Sequence, residues 1–306
     1  MIKNYKIGKI YCLKLNNNLK WQIVSNKETN SYVEKLASIM ELRPCKLNEN
    51  PKLIFVKNIL DENELKQLIS NLNTIYNLPK NGWRVLSSKL IKFWTHHSSQ
   101  HIICEIGNSK SHISEIIKLS LSTYPIYKKV IEKGCLPLHS ALIEKNGNGI
   151  LLVASGNGGK SSCCNHLPSP WHAICDDEAV VVLNKDNAYS IHPFPTWSNC
   201  IFRCFKQTWN VQQHFPLTSI FFLKKDKVDK VIPLEKAKTI MKITKSANEA
   251  YQRFLQINLS KIKNRVLSTK IFDNSCEIAK KIPSYTLHFS LNGKFWSKID
   301  KVIPNG

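Results

Sequence analysis

A glycine-rich segment in the middle of the chain has the residue types of a phosphate-binding loop. Its sequence, Ala154-Ser155-Gly156-Asn157-Gly158-Gly159-Lys160-Ser161, matches the pattern GxxxxGK[ST] except that alanine replaces the first glycine. Small residues let backbone N–H groups turn towards phosphate oxygens, and the lysine adds a point charge for the outer phosphates. We call residues 154–159 the glycine loop. The residues expected to bind the phosphates of ATP are Ser155, Gly156, Asn157, Gly158, Gly159, Lys160, Ser161 and Ser162.

The segments on both sides of the glycine loop fit this interpretation. The apolar run Ile150–Ala154 predicts a buried strand that leads into the loop, and a helix can begin at Lys160 with its N-terminal dipole facing the same anion. The alternative is an ordinary glycine turn between a strand and a helix. Ala154 is the departure from the motif, and it would be costly if the first position required a positive φ.

A pair of adjacent carboxylates, Asp176-Asp177, follows the short strand predicted at 173–175. A carboxylate at a strand end beside a phosphate loop is suited to hold Mg²⁺, together with the hydroxyl of Ser161. We assign the metal to Ser161 and Asp176, and we expect Asp176 and Asp177 to be catalytic. One of them would hold the metal while the other accepts a proton from an attacking hydroxyl. A polar strand end without chemistry is the alternative.

Two further features carry histidine. His139 lies on the strand predicted before the loop strand, where it could face the phosphates or take part in acid–base chemistry as a third catalytic residue. A satisfied strand histidine is the alternative. The segment His192–Ser198 (HPFPTWS) is rich in turn-forming and aromatic residues, and it could form a pocket wall or anchor a loop.

The surrounding pattern predicts an α/β chain with two domains, a smaller N-terminal α+β domain at 1–130 and a nucleotide-binding domain at 131–306. The first domain contains strands at 10–13, 21–24 and 53–56, helices at 31–41 and 61–72, and a helical stretch at 112–133 that Pro125 breaks. The second contains strands at 138–143, 150–154, 179–183, 219–223 and 285–289, and helices near 234–244 and 246–258.

Composition limits the partners of the chain. Lys+Arg 44 against Asp+Glu 22 gives a formal net charge of +22 over 306 residues, but only five of the cations are arginine. Proteins that read nucleic acid usually rely on arginine forks, so we attribute most lysines to AT-rich coding and expect no specific nucleic-acid partner. A nucleic-acid or membrane binder driven by this charge is the alternative. Because no apolar run spans a bilayer and the start lacks an apolar signal stretch, we expect no membrane span and a cytoplasmic protein. The ten cysteines are expected to be mostly reduced and buried.

Taken together, His139, the residues from Gly156 to Ser161, and Asp176-Asp177 resemble the HPr serine kinase/phosphorylase family. The resemblance is closer to the HPr-kinase-related family of SynChlorMet cassette proteins ScmC, through LPLHSALIEKNGNGILLVASGNGGKSS, CDDEAVVV and HPFPTWS. It implies a P-loop nucleotide-binding domain of the HPr kinase type, related in fold to phosphoenolpyruvate carboxykinase. By similarity, Lys160 and Ser161 bind phosphate and Mg²⁺, Asp176 and Asp177 serve as metal ligand and base, and His139 lies near the transferred phosphate.

The resemblance also implies an activity and partners. It points to an ATP- and Mg²⁺-dependent kinase acting on a hydroxyl of a peptide or protein, since the cassette family occurs in gene clusters for modified peptides. A ribosomal precursor peptide is a reasonable acceptor, and HPr kinases suggest a homo-oligomer. One departure matters: HPr kinases carry a Glu-Ile-Arg-Gly-Leu-Gly segment where this chain has His192–Ser198, although Arg203 could supply a cation. A nucleotide-binding regulatory or scaffold protein without phosphotransfer is therefore the alternative.

Overall fold

The computed structural model describes residues 6–57, 62–109, 111–202, 207–258, 261–290 and 292–303. They form two compact units. The first unit comprises Met1–Pro125, Trp197–Thr208 and Phe254–Leu259, and the second comprises Ile126–Thr196, Trp209–Arg253 and Ser260–Gly306. The two later segments of the first unit have no local pattern that would assign them to it.

The first unit is built on one mixed sheet. Its strands and helices are β1 (Ile7–Lys14), β2 (Lys20–Asn26), α1 (Asn30–Ile39), β3 (Arg43–Pro44), β4 (Lys52–Lys57), α2 (Glu62–Tyr76), β5 (Arg84–Ser87), β6 (Ile91–Thr95), β7 (Ile102–Ile106) and α3 (His112–Leu121). The strand order is β3-β1-β2-β4-β7-β6-β5, and β4 runs parallel to both β2 and β7. Leu68 and Leu72 on α2 pack against Ile54 and Ile103 in the middle of this sheet, so an amphipathic helix covers its central parallel strands.

A disulfide bond joins Cys12 and Cys45 in the first unit. The pairing of Cys12 with Arg43 between β1 and β3 brings Cys45 close, and the two Cα atoms lie 5.9 Å apart. This pair is an exception to the expectation that the cysteines are mostly reduced, because a contact between residues far apart in the chain places the two sulfur atoms together. The other described cysteines are free thiols.

The second unit contains the strands that surround the glycine loop. Its elements, in chain order, are α4 (Tyr124–Glu132, which begins at the boundary), β8 (Leu136–Lys145), β9 (Asn148–Val153), α5 (Lys160–Asn165), β10 (His172–Cys175), β11 (Glu178–Leu183) and β12 (Tyr189–Phe194). After α6 (Trp197–Phe202) of the first unit come β13 (Phe215–Lys225), β14 (Lys230–Pro233), α7 (Lys236–Tyr251), α8 (Lys261–Lys281), β15 (Ser284–Phe289) and α9 (Phe295–Ile299).

The pairing of β8 positions the residues of interest. Its first half pairs with β11 and its second half with β9 and β10, so the strand changes partners next to His139. At that point the Ser140 N–H donates to the carbonyl oxygen of Asp177 (2.9 Å). An Asn146-Gly147 turn with φ of 52° and 78° joins β8 to β9, as the sequence predicts for a hairpin. β9 then lies between β8 and the parallel strand β13, in the core of the unit.

Two helix predictions in the second unit need correction. The helices predicted near 234–244 and 246–258 are one helix, α7, since Ile243, Ala247 and Ala250 continue a single buried face. The long helix α8 was not predicted, because buried apolar residues such as Leu267 and Ile271 are sparse among its charged ones.

Among the described residues, no helix combines the length and hydrophobicity of a membrane span.

Candidate functional site

The glycine loop follows β9 and ends at the short helix α5, in a conformation that its glycines permit. Asn157 and Gly159 have left-handed φ values of 59° and 99°, whereas Ala154 does not, so the alanine meets no conformational cost at the first position. A Cβ atom at Gly159 would lie 2.3 Å from Cζ of Phe289, and one at Gly158 would lie 2.5 Å from Cβ of Ala154. Both positions therefore need glycine for space, and Gly159 needs it for its backbone conformation as well.

Backbone donors gather at the glycine loop. The Gly158 N–H donates to the Ser155 carbonyl oxygen (3.0 Å). Within the described part of the chain, six other amides have no hydrogen-bond acceptor, those of Gly156, Asn157, Gly159, Lys160, Ser161 and Ser162. Consecutive N–H groups around left-handed residues form a concave arrangement suited to an anion. The six-residue α5 adds little dipole, so the loop amides themselves are the main backbone contribution.

Lys160 lies at the end of the loop and is buried, with 7% of the residue exposed. Its Nζ donates to the carbonyl oxygen of Ala154 (2.7 Å) and lies 2.9 Å from Nε2 of His139. Burial lowers the pKa of this lysine, although the carboxylates of Asp177 and Glu249 oppose the effect. A buried ammonium group next to unpartnered amides would gain from an incoming anion.

His139 is held between two carboxylates. Its Nε2 lies 3.0 Å from Oδ1 of Asp177, and its Nδ1 lies 2.9 Å from Oε2 of Glu249. The hydrogen bond to Asp177 raises the pKa of His139, against the effects of burial and of nearby Lys160. Burial would raise the pKa of Asp177, but the hydrogen bond and charge of His139 outweigh it and hold that pKa below its usual range.

Glu249 is the residue of this site that the sequence analysis missed. Its Oε1 accepts a hydrogen bond from Ser155 Oγ (2.9 Å), so one side chain joins the start of the glycine loop to His139. Burial alone would raise the pKa of Glu249, but the hydrogen bonds from His139 and Ser155 lower it. Glu249 stands 110 residues from His139 in the chain, and its one sequence signal is that it is the only acidic residue of the lysine-rich α7.

Asp176 lies beside this network. Its Oδ1 accepts a hydrogen bond from Thr196 Oγ1 (2.8 Å), and its charge favours the protonated form of Lys160. Ser161 and Ser162 are exposed at the start of α5. Among the described residues, no group of three or more His, Cys, Asp or Glu side chains could by itself hold a metal ion. One hydroxyl and one carboxylate fit a Mg²⁺ ion that keeps several waters and phosphate oxygens as ligands.

A buried ion pair fixes the first residue of β11, Glu178. Arg253 donates to both carboxylate oxygens of Glu178, with Nη2 and Oε2 2.9 Å apart, and the Tyr127 hydroxyl also donates to Glu178. Glu178 is 6% exposed and pairs in register with His139. The sheet therefore holds the residue after Asp177 rigidly, so Asp177 is positioned next to His139.

The segment His192–Ser198 begins as a structural element. His192 on β12 is fully buried, its Nδ1 lies 3.0 Å from the carbonyl oxygen of Val211, and burial lowers its pKa to about 4. Phe194, also fully buried, packs edge-on against Tyr127. Of the two interpretations left open, these contacts favour an anchor. Arg203 lies outside the described residues.

The structure thus brings four of the predicted residues into one hydrogen-bonded network: Ser155, Lys160, His139 and Asp177. Asp176 is oriented by Thr196 at its margin, and Ser161 and Ser162 lie on the exposed side of the loop. No direct contact joins Asp176 to Ser161 among the described residues, so the predicted metal pair is not preformed by a hydrogen bond. Glu249 completes the network from α7.

Comparison with known proteins identifies the family. Residues 102–304 match the model of the family described as SynChlorMet cassette protein ScmC. The match begins at the first residue of β7 and includes the glycine loop, Asp176-Asp177 and Glu249. No curated protein matches the chain. Since the matched residues make up well over half of the 306, the chain belongs to the ScmC family of SynChlorMet cassette proteins.

Proposed function

We propose that the protein is an ATP- and Mg²⁺-dependent phosphotransferase that phosphorylates a hydroxyl of a peptide or protein. One observation supports this most: the buried Lys160 ammonium lies beside the unpartnered amides of the glycine loop and in contact with the His139–Asp177 pair. Phosphoryl transfer needs little covalent chemistry, and mainly requires positioned charges around the phosphates and a group that takes up the acceptor's proton.

The residues divide this work. The loop amides and Lys160 bind the phosphates of ATP, for which Lys160 leaves its contact with the Ala154 carbonyl oxygen. Ser161 and Asp176 would hold Mg²⁺, which would neutralise charge that develops on the phosphate oxygens. Asp177, next to His139, accepts the proton of the attacking hydroxyl.

The acceptor is proposed from the family and the resemblance. The chain belongs to a cassette family, and the resemblance to kinases of modified-peptide clusters favours a ribosomal precursor peptide encoded nearby. We assign the first unit to recognition of that peptide, and we expect the protein to work in the cytoplasm and to form a homo-oligomer.

The test combines binding and transfer. The protein is incubated with ATP, Mg²⁺ and each short peptide encoded beside its gene, and the intact mass of the peptide is measured. We expect a gain of one phosphate, and we expect Lys160→Met to lose both this gain and binding of a fluorescent ATP analogue. Lys185→Met, which changes an exposed lysine between β11 and β12, is the matched control and should behave as wild type. Failure of every neighbouring peptide to gain phosphate would contradict the proposal.

A nucleotide-binding regulatory or scaffold protein is the second candidate. The buried, anchoring role of His192 and Phe194 favours it, because this part of the chain supplies no acid or arginine beside the loop. Under this candidate, wild type and Asp177→Asn bind ATP equally and neither transfers phosphate. Under the kinase proposal, Asp177→Asn still binds ATP, but its transfer rate falls by about 100-fold or more.

A further inference from the structure

The proposed reaction does not yet use Glu249. Its two carboxylate oxygens contact two different partners, with Oε2 2.9 Å from His139 Nδ1 and Oε1 2.9 Å from Ser155 Oγ. The side chain is only 25% exposed, and the buried residues Ala247 and Ala250 flank it on α7. Such a carboxylate is held in one orientation by its neighbours.

The contacts of His139 determine which of its nitrogens carries the proton in the neutral ring. A carboxylate only accepts hydrogen bonds and an ammonium group only donates them. With the proton on Nδ1, His139 donates to Glu249, and its Nε2 lone pair accepts from Lys160 Nζ at 2.9 Å. The opposite tautomer would donate from Nε2 to Asp177 (3.0 Å), but it would place a lone pair against Glu249 and an N–H against Lys160. The Nδ1 tautomer therefore satisfies two of the three neighbours, and the opposite tautomer satisfies one.

We propose that Glu249 is a positioning residue that keeps a proton on Nδ1 of His139, so that Nε2 is the atom that finally receives the acceptor's proton. This inference rests on the proposed phosphotransferase function. The hydroxyl proton passes from the acceptor to Asp177 and on to Nε2. The hydroxyl oxygen forms a bond to the γ-phosphorus, and the bond from the γ-phosphorus to the bridging oxygen breaks, so that ADP leaves with the electron pair.

The charges around His139 fit this assignment. Asp177 faces it from the turn before β11, Glu249 from α7 and Lys160 from α5, while Lys245 lies 3.9 Å from Glu249. Asp177 Oδ1 lies 3.0 Å from Nε2, so a proton that Asp177 takes from the acceptor can pass along this contact to the ring. Glu249 then stabilises the imidazolium through its charge. For this step Lys160 must leave Nε2, which its move to the phosphates accomplishes.

Three variants of the full chain test the inference. Glu249→Ala removes both the hydrogen bond and the charge, and Glu249→Gln keeps an acceptor for Nδ1–H but removes the charge. Glu235→Gln makes the same chemical change at the exposed start of the same helix, where Glu235 pairs with Lys238 at the surface (3.1 Å), and serves as the matched control. Nitrogen-15 NMR of the ring reports which nitrogen of neutral His139 carries the proton, without requiring turnover.

The expected results separate orientation from charge. In wild type, Glu235→Gln and Glu249→Gln, neutral His139 carries its proton on Nδ1, and in Glu249→Ala this preference is lost. With Mg·ATP and a library of serine- and threonine-containing peptides, we expect Glu249→Ala to lower kcat by about 100-fold while the KM for ATP changes less than about threefold. In Glu249→Gln the acid limb of the kcat profile moves to lower pH, since loss of the negative charge lowers the pKa of His139.

Two results would overturn the inference. One is a Glu249→Ala variant in which neutral His139 keeps its proton on Nδ1, and the other is unchanged kcat and pH profile in a variant whose proton has moved. If wild type binds ATP but transfers no phosphate, the proposed function fails and the proton pathway fails with it. The NMR result still decides whether Glu249 sets the proton on His139, so the two failures are distinguishable.

Discussion

Substitution of Gly159 by alanine tests whether the glycine loop has the conformation described. The residue has φ of 99°, and a left-handed backbone costs a residue with a Cβ atom about 1–2 kcal/mol. The new Cβ atom would also lie 2.3 Å from Cζ and 3.1 Å from Cε2 of Phe289, and such overpacking costs about 1–3 kcal/mol. We therefore expect Gly159→Ala to lower the free energy of unfolding by about 2–5 kcal/mol, a large part of the total stability of a typical domain.

Urea unfolding followed by circular dichroism measures this loss, and the chain offers a matched control. A Cβ atom at Gly156, in the same loop, meets nothing within 4 Å, so Gly156→Ala should change stability by less than about 1 kcal/mol. In the Gly159→Ala background, Phe289→Leu should relieve the overpacking and regain that part of the stability, while the cost of the backbone strain remains. Equal stability of the two single alanine variants would refute the described loop geometry.

Two buried groups give further predictions. Burial lowers the pKa of His192 to about 4, so this histidine stays neutral in the fold, and His192→Asn removes it. As pH falls from about 6.5 to about 4, the free energy of unfolding of the wild type should drop by up to about 3 kcal/mol relative to the variant. Above that range the full contribution of the neutral histidine is present. Urea unfolding at several pH values measures it, and equal pH dependence of the two proteins would contradict it. Arg253→Met leaves the 6%-exposed Glu178 without its cation and should cost about 3–5 kcal/mol. Glu178→Gln in the Arg253→Met background should restore part of the lost stability. If the losses of the two single variants simply add in the double variant, the two residues do not interact.

The local parts of the site could be predicted from sequence. The strand β9, the glycine loop and the start of α5 follow one another in the chain. Each has its own local pattern: β9 is an apolar run, the loop is a cluster of glycines, and α5 begins with a lysine. The hairpin before β9 was predicted from Asn146-Gly147, whose positive φ values only a few residue types tolerate. Helix α3 ends at Leu121, and α4 begins at Tyr124, so the predicted break falls just before Pro125, which lies in the first turn of a new helix.

The contacts between distant segments could not be predicted. Glu249 meets His139 only because α7 packs beside β8, and a single glutamate in a helix with several lysines has no periodic signature. The Cys12–Cys45 disulfide depends in the same way on the pairing of β1 with β3. The buried Arg253–Glu178 pair joins a helix end to a strand start 75 residues away, and nothing in either local pattern marks it.

Comparing phosphate transfer to a peptide by wild type and by Asp177→Asn decides whether the protein is a phosphotransferase that uses Asp177 as its base. Each protein is mixed with ATP, Mg²⁺ and the peptides encoded beside the gene, and intact peptide masses and ATP binding are measured on the same samples. We expect one added phosphate with wild type, a rate about 100-fold lower with Asp177→Asn, and equal ATP binding by both. Equal transfer by the two proteins, or ATP binding by wild type without any phosphorylated peptide, would contradict this expectation.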